Sequence, residues 1–194
     1  MMTGQMVING SPDRHTRITF NLSDNGTLLY NDQRRFGQLR VVERLDQVKH
    51  LNILGPEPFD EEFSLPYIQE ALQRTDRPIK NILLDHTFVA GIGNIYACEI
   101  LYRCQINPRR PGRKISFKEI QTLQEAIIEV LNEAIDHRGS SMRNYRDASG
   151  QKGRFNEMLS VYAREGLTCP RCRHKILRIT QSGRSTFYCG HCQK

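Results

Sequence analysis

DHTFVAGIGNIYACEILYRCQINPRRPG, residues 85–112, places two glycines, Gly91 and Gly93, immediately before a helix-spaced apolar run. Ile95, Cys98 and Leu101 fall on one face of a helix over 94–104, and a turn follows at Asn107-Pro108-Arg109-Arg110-Pro111-Gly112. A second, longer helix is predicted over 115–137, because Ile120, Leu123, Ile127, Val130, Leu131 and Ala134 recur at helical spacing. Glycines before a helix leave first-turn N–H groups pointing outward, where a phosphate can sit; they also suit an ordinary tight turn. Four basic residues between Arg109 and Lys114 favour the phosphate.

Upstream, Ser64-Leu65-Pro66 starts a helix with the stripe Ile68, Ala71 and Leu72, and Pro78 opens another through Ile79, Ile82 and Leu83. The stretch 54–63, with two prolines and several acids, reads as a linker. Before it, 7–42 is strand-like: Ile18, Phe20 and Leu22 alternate with Thr19 and Asn21, and Asn25-Gly26 is a hairpin signal. An antiparallel sheet is expected there. Residues 138–155 lose apolar periodicity and gain Gly139, Gly150, Gly153, Arg138, Arg143, Arg146, Lys152 and Arg154, which predicts a mobile basic loop.

Cys169-x-x-Cys172 and Cys189-x-x-Cys192 stand sixteen residues apart, the arrangement in which two turns each present two thiolates to a tetrahedral Zn²⁺. A disulfide framework competes with this reading, but the opening MMTGQMVING has no secretion-signal pattern. Between the pairs, 176–179 and 186–188 read as a hairpin turning at Ser182-Gly183. So short a segment has little core of its own, so metal must supply most of its folding free energy. Cys98 and Cys104, in an apolar helical stretch, read as inert core thiols.

Charge divides the chain. Residues 1–102 hold 10 Lys+Arg against 13 Asp+Glu, a balance of −3, while 103–194 hold 18 against 8, a balance of +10. A basic half of this kind is the footprint of a polyanion partner, or else a solvated basic surface. No apolar run approaches the roughly 18 residues that span a bilayer, so a membrane role is not expected and a cytoplasmic protein is.

The 85–112 string resembles the helix-two-turn-helix of the formamidopyrimidine-DNA glycosylase and endonuclease VIII family. CPRC at 169–172 with TFYCGHCQK at 186–194 resembles that family's zinc finger, and Asp32-Gln33-Arg34-Arg35-Phe36-Gly37 resembles its DPRRFG segment. The resemblance implies an α+β architecture. A partial antiparallel β-sandwich would occupy 1–54, a linker 55–63, a helix-two-turn-helix domain 64–163 with a lesion-recognition loop at 138–155, and a zinc finger 164–194. Its partner would be double-stranded DNA containing oxidised bases, its cofactor Zn²⁺ on Cys169, Cys172, Cys189 and Cys192, and its state a monomer.

The resemblance also implies roles. Asn94 would donate to a phosphate beside the lesion, with Gly93, Lys80 and Arg109 nearby, and Arg184 would grip phosphate from the hairpin. Arg34 would face the orphaned base, Phe36 would wedge the stack, and Met2 would fill the hole left by the flipped nucleotide. An apolar wedge is physically sensible, since extruding a base costs a few kcal/mol of stacking. Arg34 and Arg35 also read as solvated charges beside a hairpin, and Met2 as an ordinary disordered terminus.

One departure stands out. The family exposes an N-terminal proline, followed by glutamate, whose amine attacks the damaged sugar; a pKa of roughly 8 leaves part of such an amine neutral. Here the opening is Met1-Met2-Thr3-Gly4, with the first proline at Pro12. The family's first helix, several sandwich strands and a catalytic lysine also find no counterpart, so the 194 residues are expected not to excise bases and the region before about Gly55 to behave poorly in isolation. A non-catalytic lesion-DNA sensor is the rival function, and a zinc-ribbon adaptor for RNA or protein explains only the cysteines.

Overall fold

The computed structural model describes residues 4–140 and 153–194, which divide into two compact units: 1–43 with 133–158, and 44–132 with 159–194. Met2 and the basic residues Arg143, Arg146 and Lys152 of the expected loop lie outside the described residues.

The first unit is built on a three-stranded antiparallel sheet, β1 (Gly4–Ile8), β2 (Thr16–Asn21) and β3 (Thr27–Asp32), with β3 in the middle. The turn between β2 and β3 closes at Asn25, whose φ of 63° suits asparagine, and Leu22 N–H donates to Gly26 O at 2.9 Å. Strand character was expected to continue to Val42, yet it ends at Asp32. The buried Asp32 carboxylate accepts the backbone N–H groups of Arg34 at 3.2 Å and Gly37 at 2.8 Å, which curls the chain out of the sheet. Gly37 lets the curl pass close to Tyr30, whose hydroxyl would have to move to make room for a Cβ at this position. Farther on, Leu39 and Val41 are exposed.

The second unit holds α1 (Leu65–Gln73), α2 (Ile79–Leu83), α3 (Asn94–Arg103), most of α4 (Phe117–Asp136), and a hairpin of β4 (Leu177–Gln181) and β5 (Arg184–Tyr188). Its core holds most of the stripes read from the sequence: Ile68, Leu72, Ile79, Leu83, Leu101, Leu123 and Ile127 are fully buried, joined by Ile100, while Ala71, Ile95 and Leu131 are half-buried. At roughly 1.5–3 kcal/mol per buried aliphatic side chain, this burial is the main term holding the unit together. The α2 start is clamped to the 107–112 turn, with Ile79 N–H donating to Arg110 O at 2.8 Å and Gly112 N–H to Arg77 O at 3.0 Å.

Residues 55–63 are held at three points: Gly55 N–H donates to His86 O, Ala90 N–H to Pro56 O, and Phe63 is buried against Tyr67 and Phe88, while Glu57, Phe59, Asp60, Glu61 and Glu62 are exposed. Residues 44–54 group with the helical unit and 133–158 with the sheet.

α4 starts on a reciprocal cap. Ser116 N–H and Oγ donate to Glu119 Oε2 at 2.8 and 2.7 Å, while Arg110 closes on the same carboxylate at 2.5 and 3.0 Å. The Arg110 hydrogen bonds, against a smaller opposing effect of burial, hold the Glu119 carboxyl down at about 2, helped by Ser116. A depressed carboxyl contributes stability that is full above about pH 4.5 and is lost as pH falls toward 2. Glu119→Gln is therefore expected to lower the unfolding free energy in urea at pH 7 by about 1–2 kcal/mol, allowing for solvent screening, and by much less at pH 2. Equal losses at both pH values would show that the charge is irrelevant.

Candidate nucleic-acid interface

Three separate stretches meet around Lys80, which has 0% exposure. Its Nζ donates to Asn94 Oδ1 at 2.6 Å, Thr186 Oγ1 at 2.8 Å and Ser185 O at 3.4 Å. Asn94 Nδ2 in turn donates to Ser185 O at 2.9 Å. One buried ammonium thus ties α2, the first residue of α3 and β5 into a single cluster. Burial pushes the Lys80 pKa below its usual value, offset by the Cys98 thiol and reinforced by the Arg184 charge.

The surface above the cluster is open and basic. Gly93, at the N-cap of α3, has no side chain to satisfy the first-turn amides, and a Cβ there would meet nothing within 4 Å. Gly91 sits at φ +83°, so that position needs glycine for its backbone conformation. Arg184 opens β5 and is exposed, directly after the tight turn Ser182-Gly183 with φ of 47° and 73°. Beside it a cleft of about 520 Å³ is lined by Arg77, Asn81, Asp85, Ser182 and Arg184. Within this cleft, hydrogen bonds from the Thr87 hydroxyl and from Arg77 hold Asp85 at about 2. Arg109 is exposed, with its guanidinium 5.8 Å from the Tyr188 ring centroid.

The four cysteines form a metal centre. Their sulfurs all lie within 4.8 Å of one another, with Cys169–Cys192 at 3.9 Å and Cys172–Cys189 at 3.4 Å. Tetrahedral Zn–S bonds of about 2.3 Å demand S···S spacings of about 3.8 Å, so the set fits zinc. No disulfide joins any of the six cysteines. Burial disfavours the Cys169 thiolate, but hydrogen bonds from the Tyr102 hydroxyl and from the Cys172 and Arg171 amides outweigh it and bring the thiol to about 6. Cys98 and Cys104 are buried core thiols as expected, and burial pushes Cys104 up to about 12.

The finger is sewn into the helices. Asn107 N–H donates to Lys194 O, Lys194 N–H to Gln105 O, and the buried Gln193 side chain bonds both Ile106 O and Cys189 N–H. Glu99, on the inner face of α3, accepts the backbone N–H groups of Ser160, Val161 and Tyr162 at 2.8–3.0 Å. Sequence reasoning missed Glu99, Gln193 and Thr186; the one available signal was a charge at Glu99 flanked by the apolar Cys98 and Ile100.

In the sheet unit, Arg34 and Phe36 follow β3, with the Arg34 guanidinium 4.8 Å from the Phe36 ring centroid and Phe36 74% exposed. Among the described residues, no helix is long and apolar enough to cross a membrane.

Comparison with known proteins gives three family matches. Residues 54–146 match the formamidopyrimidine-DNA glycosylase H2TH domain, 166–194 the zinc finger found in FPG and IleRS, and 1–39 the formamidopyrimidine-DNA glycosylase N-terminal domain. A formamidopyrimidine-DNA glycosylase of Pelotomaculum thermopropionicum is 43% identical over the whole chain, which covers 72% of that protein. One from Roseobacter denitrificans is 40% identical, with 74% of it covered. The MutM (Fpg) structure from Thermus thermophilus superposes with a TM-score of 0.91 at 41% identity, covering 99% of this chain and 73% of that one. The Lactococcus lactis Fpg complex with abasic-site DNA gives 0.89 at 35% identity, covering 100% and 72%.

Proposed function

Because this chain belongs to the formamidopyrimidine-DNA glycosylase family, we propose that it binds double-stranded DNA carrying an oxidised base, in base-excision repair of lesions such as 8-oxoguanine and formamidopyrimidines. The observation that carries this reading is the Lys80–Asn94–Ser185 cluster beneath an open, basic helix start. Asn94 and the first-turn amides beside Gly93 grip one phosphate, and Arg184 grips another from the hairpin. Lys80, having no exposed surface, acts through Asn94: its ammonium fixes which way the amide points and adds positive charge below the phosphate. Arg109 adds a further phosphate contact. Arg34 and Phe36 enter the opened stack from the minor groove, and Met2 fills the space of the flipped nucleotide. The protein works as a monomer on the chromosome, in the cytoplasm of a bacterial cell.

A second reading is lesion binding without excision. A duplex with 8-oxoguanine is expected to bind at least tenfold more tightly than the undamaged duplex in competition titrations, and borohydride trapping separates the two readings. Equal affinities would remove damage recognition from the proposal; a trapped adduct would remove the binding-only reading.

A further inference from the structure

We infer that Tyr102 is a positioning residue for the metal centre: its hydroxyl donates a hydrogen bond to the Cys169 thiolate, fixing that ligand to the same helix whose first residue, Asn94, belongs to the phosphate-facing cluster. The Tyr102 Oη to Cys169 Sγ distance is 3.4 Å, and both residues are buried. A zinc-bound cysteine carries no proton, so in the metal-loaded protein the phenol is the donor. With little water nearby, such a charge-assisted bond is strengthened by the low local dielectric.

Arg171 sharpens the arrangement. Its guanidinium stands 4.7 Å from the Tyr102 ring centroid and donates through Nη1 to Tyr102 O at 3.2 Å. A cation over the ring makes the phenol a better donor, and Arg171 lies between Cys169 and Cys172, inside the metal-binding turn itself. The turn and the C-terminal end of α3 therefore hold each other by two independent contacts. Asn94 and Tyr102 are about 12 Å apart along the helix axis, so α3 rigidly links the two sites. Ligand sets whose outer partners are removed typically lose about 10–100-fold in metal affinity.

Tyr102→Phe deletes one oxygen and keeps the ring, its packing and the Arg171 stack. In the Co²⁺-loaded protein the sulfur-to-metal charge-transfer band is expected to move to lower energy in this variant, because a thiolate that accepts one hydrogen bond fewer gives up charge more easily. The zinc dissociation constant read from competition with a chelator should rise about 10–100-fold. The unmodified protein offers a second readout that needs no variant: loaded with ¹¹³Cd, it should show a hydroxyl proton of Tyr102 coupled to the metal through Sγ of Cys169. A merely space-filling tyrosine would move neither the band nor the coupling. An unshifted band with a zinc dissociation constant within twofold of the parent's, or a ¹¹³Cd spectrum in which no hydroxyl proton couples to the metal, overturns the assignment.

Discussion

Removing zinc, or replacing Cys189 with serine, is expected to weaken binding to a lesion-containing duplex by roughly a hundredfold to a thousandfold, the loss of about 3–4 kcal/mol. The reasoning begins with size. The segment from Gly166 onward buries few apolar side chains, chiefly Ile176 and Phe187 beside Cys169 and Cys189, so metal ligation supplies most of its folding free energy. Without it, β4 and β5 lose their anchor, and with β5 go Arg184, the Ser185 carbonyl and the Thr186 hydroxyl. Two charge-assisted contacts of about 1.5–3 kcal/mol each then disappear or lose their orientation. The damage should reach the helices, because Gln105, Ile106 and Asn107 are bonded to the last two residues of the finger. Amide exchange at 105–107 should accelerate along with the hairpin. Unchanged affinity after confirmed metal loss would show that the finger takes no part in holding DNA.

Lys80→Met is the second large effect. The substitution keeps the length and apolar stem but leaves Asn94 Oδ1 and Ser185 O without the ammonium that they share. A buried acceptor stripped of its donor costs about 1–3 kcal/mol, partly offset because the desolvated charge is gone. The net expectation is about 2–3 kcal/mol of lost stability in urea unfolding, with zinc retained. Affinity for the duplex should fall about tenfold to a hundredfold, since Asn94 loses its fixed orientation and the phosphate loses a nearby charge. A variant that binds within twofold of the parent would demote Lys80 to a structural post.

Much of this was legible in residues 85–112. Gly91 and Gly93 announced the helix start, Cys98 and Leu101 located the buried face with Ile95 at its half-buried edge, and outside that stretch the paired CxxC motifs located the metal. Periodicity and spacing report local geometry, and those features are local. The Lys80 cluster was not legible as geometry, because its members stand 14 and 106 positions apart and only the fold joins them. The end of the sheet was missed for a related reason: the strand-like text runs on to Val42, while one buried carboxylate at Asp32 redirects the backbone. The burial of Phe63 was not legible either, because a single aromatic among acids gives no periodic signal.

Phosphate gripping by the basic half is tested most directly by the salt dependence of binding. A lesion duplex titrated between 50 and 200 mM salt should show log affinity falling linearly with log salt at a slope of roughly −4 to −5, the release expected for about five neutralised phosphates. A flat response over the same range would contradict the proposal that the α3 start and the metal-pinned hairpin hold the sugar-phosphate strand.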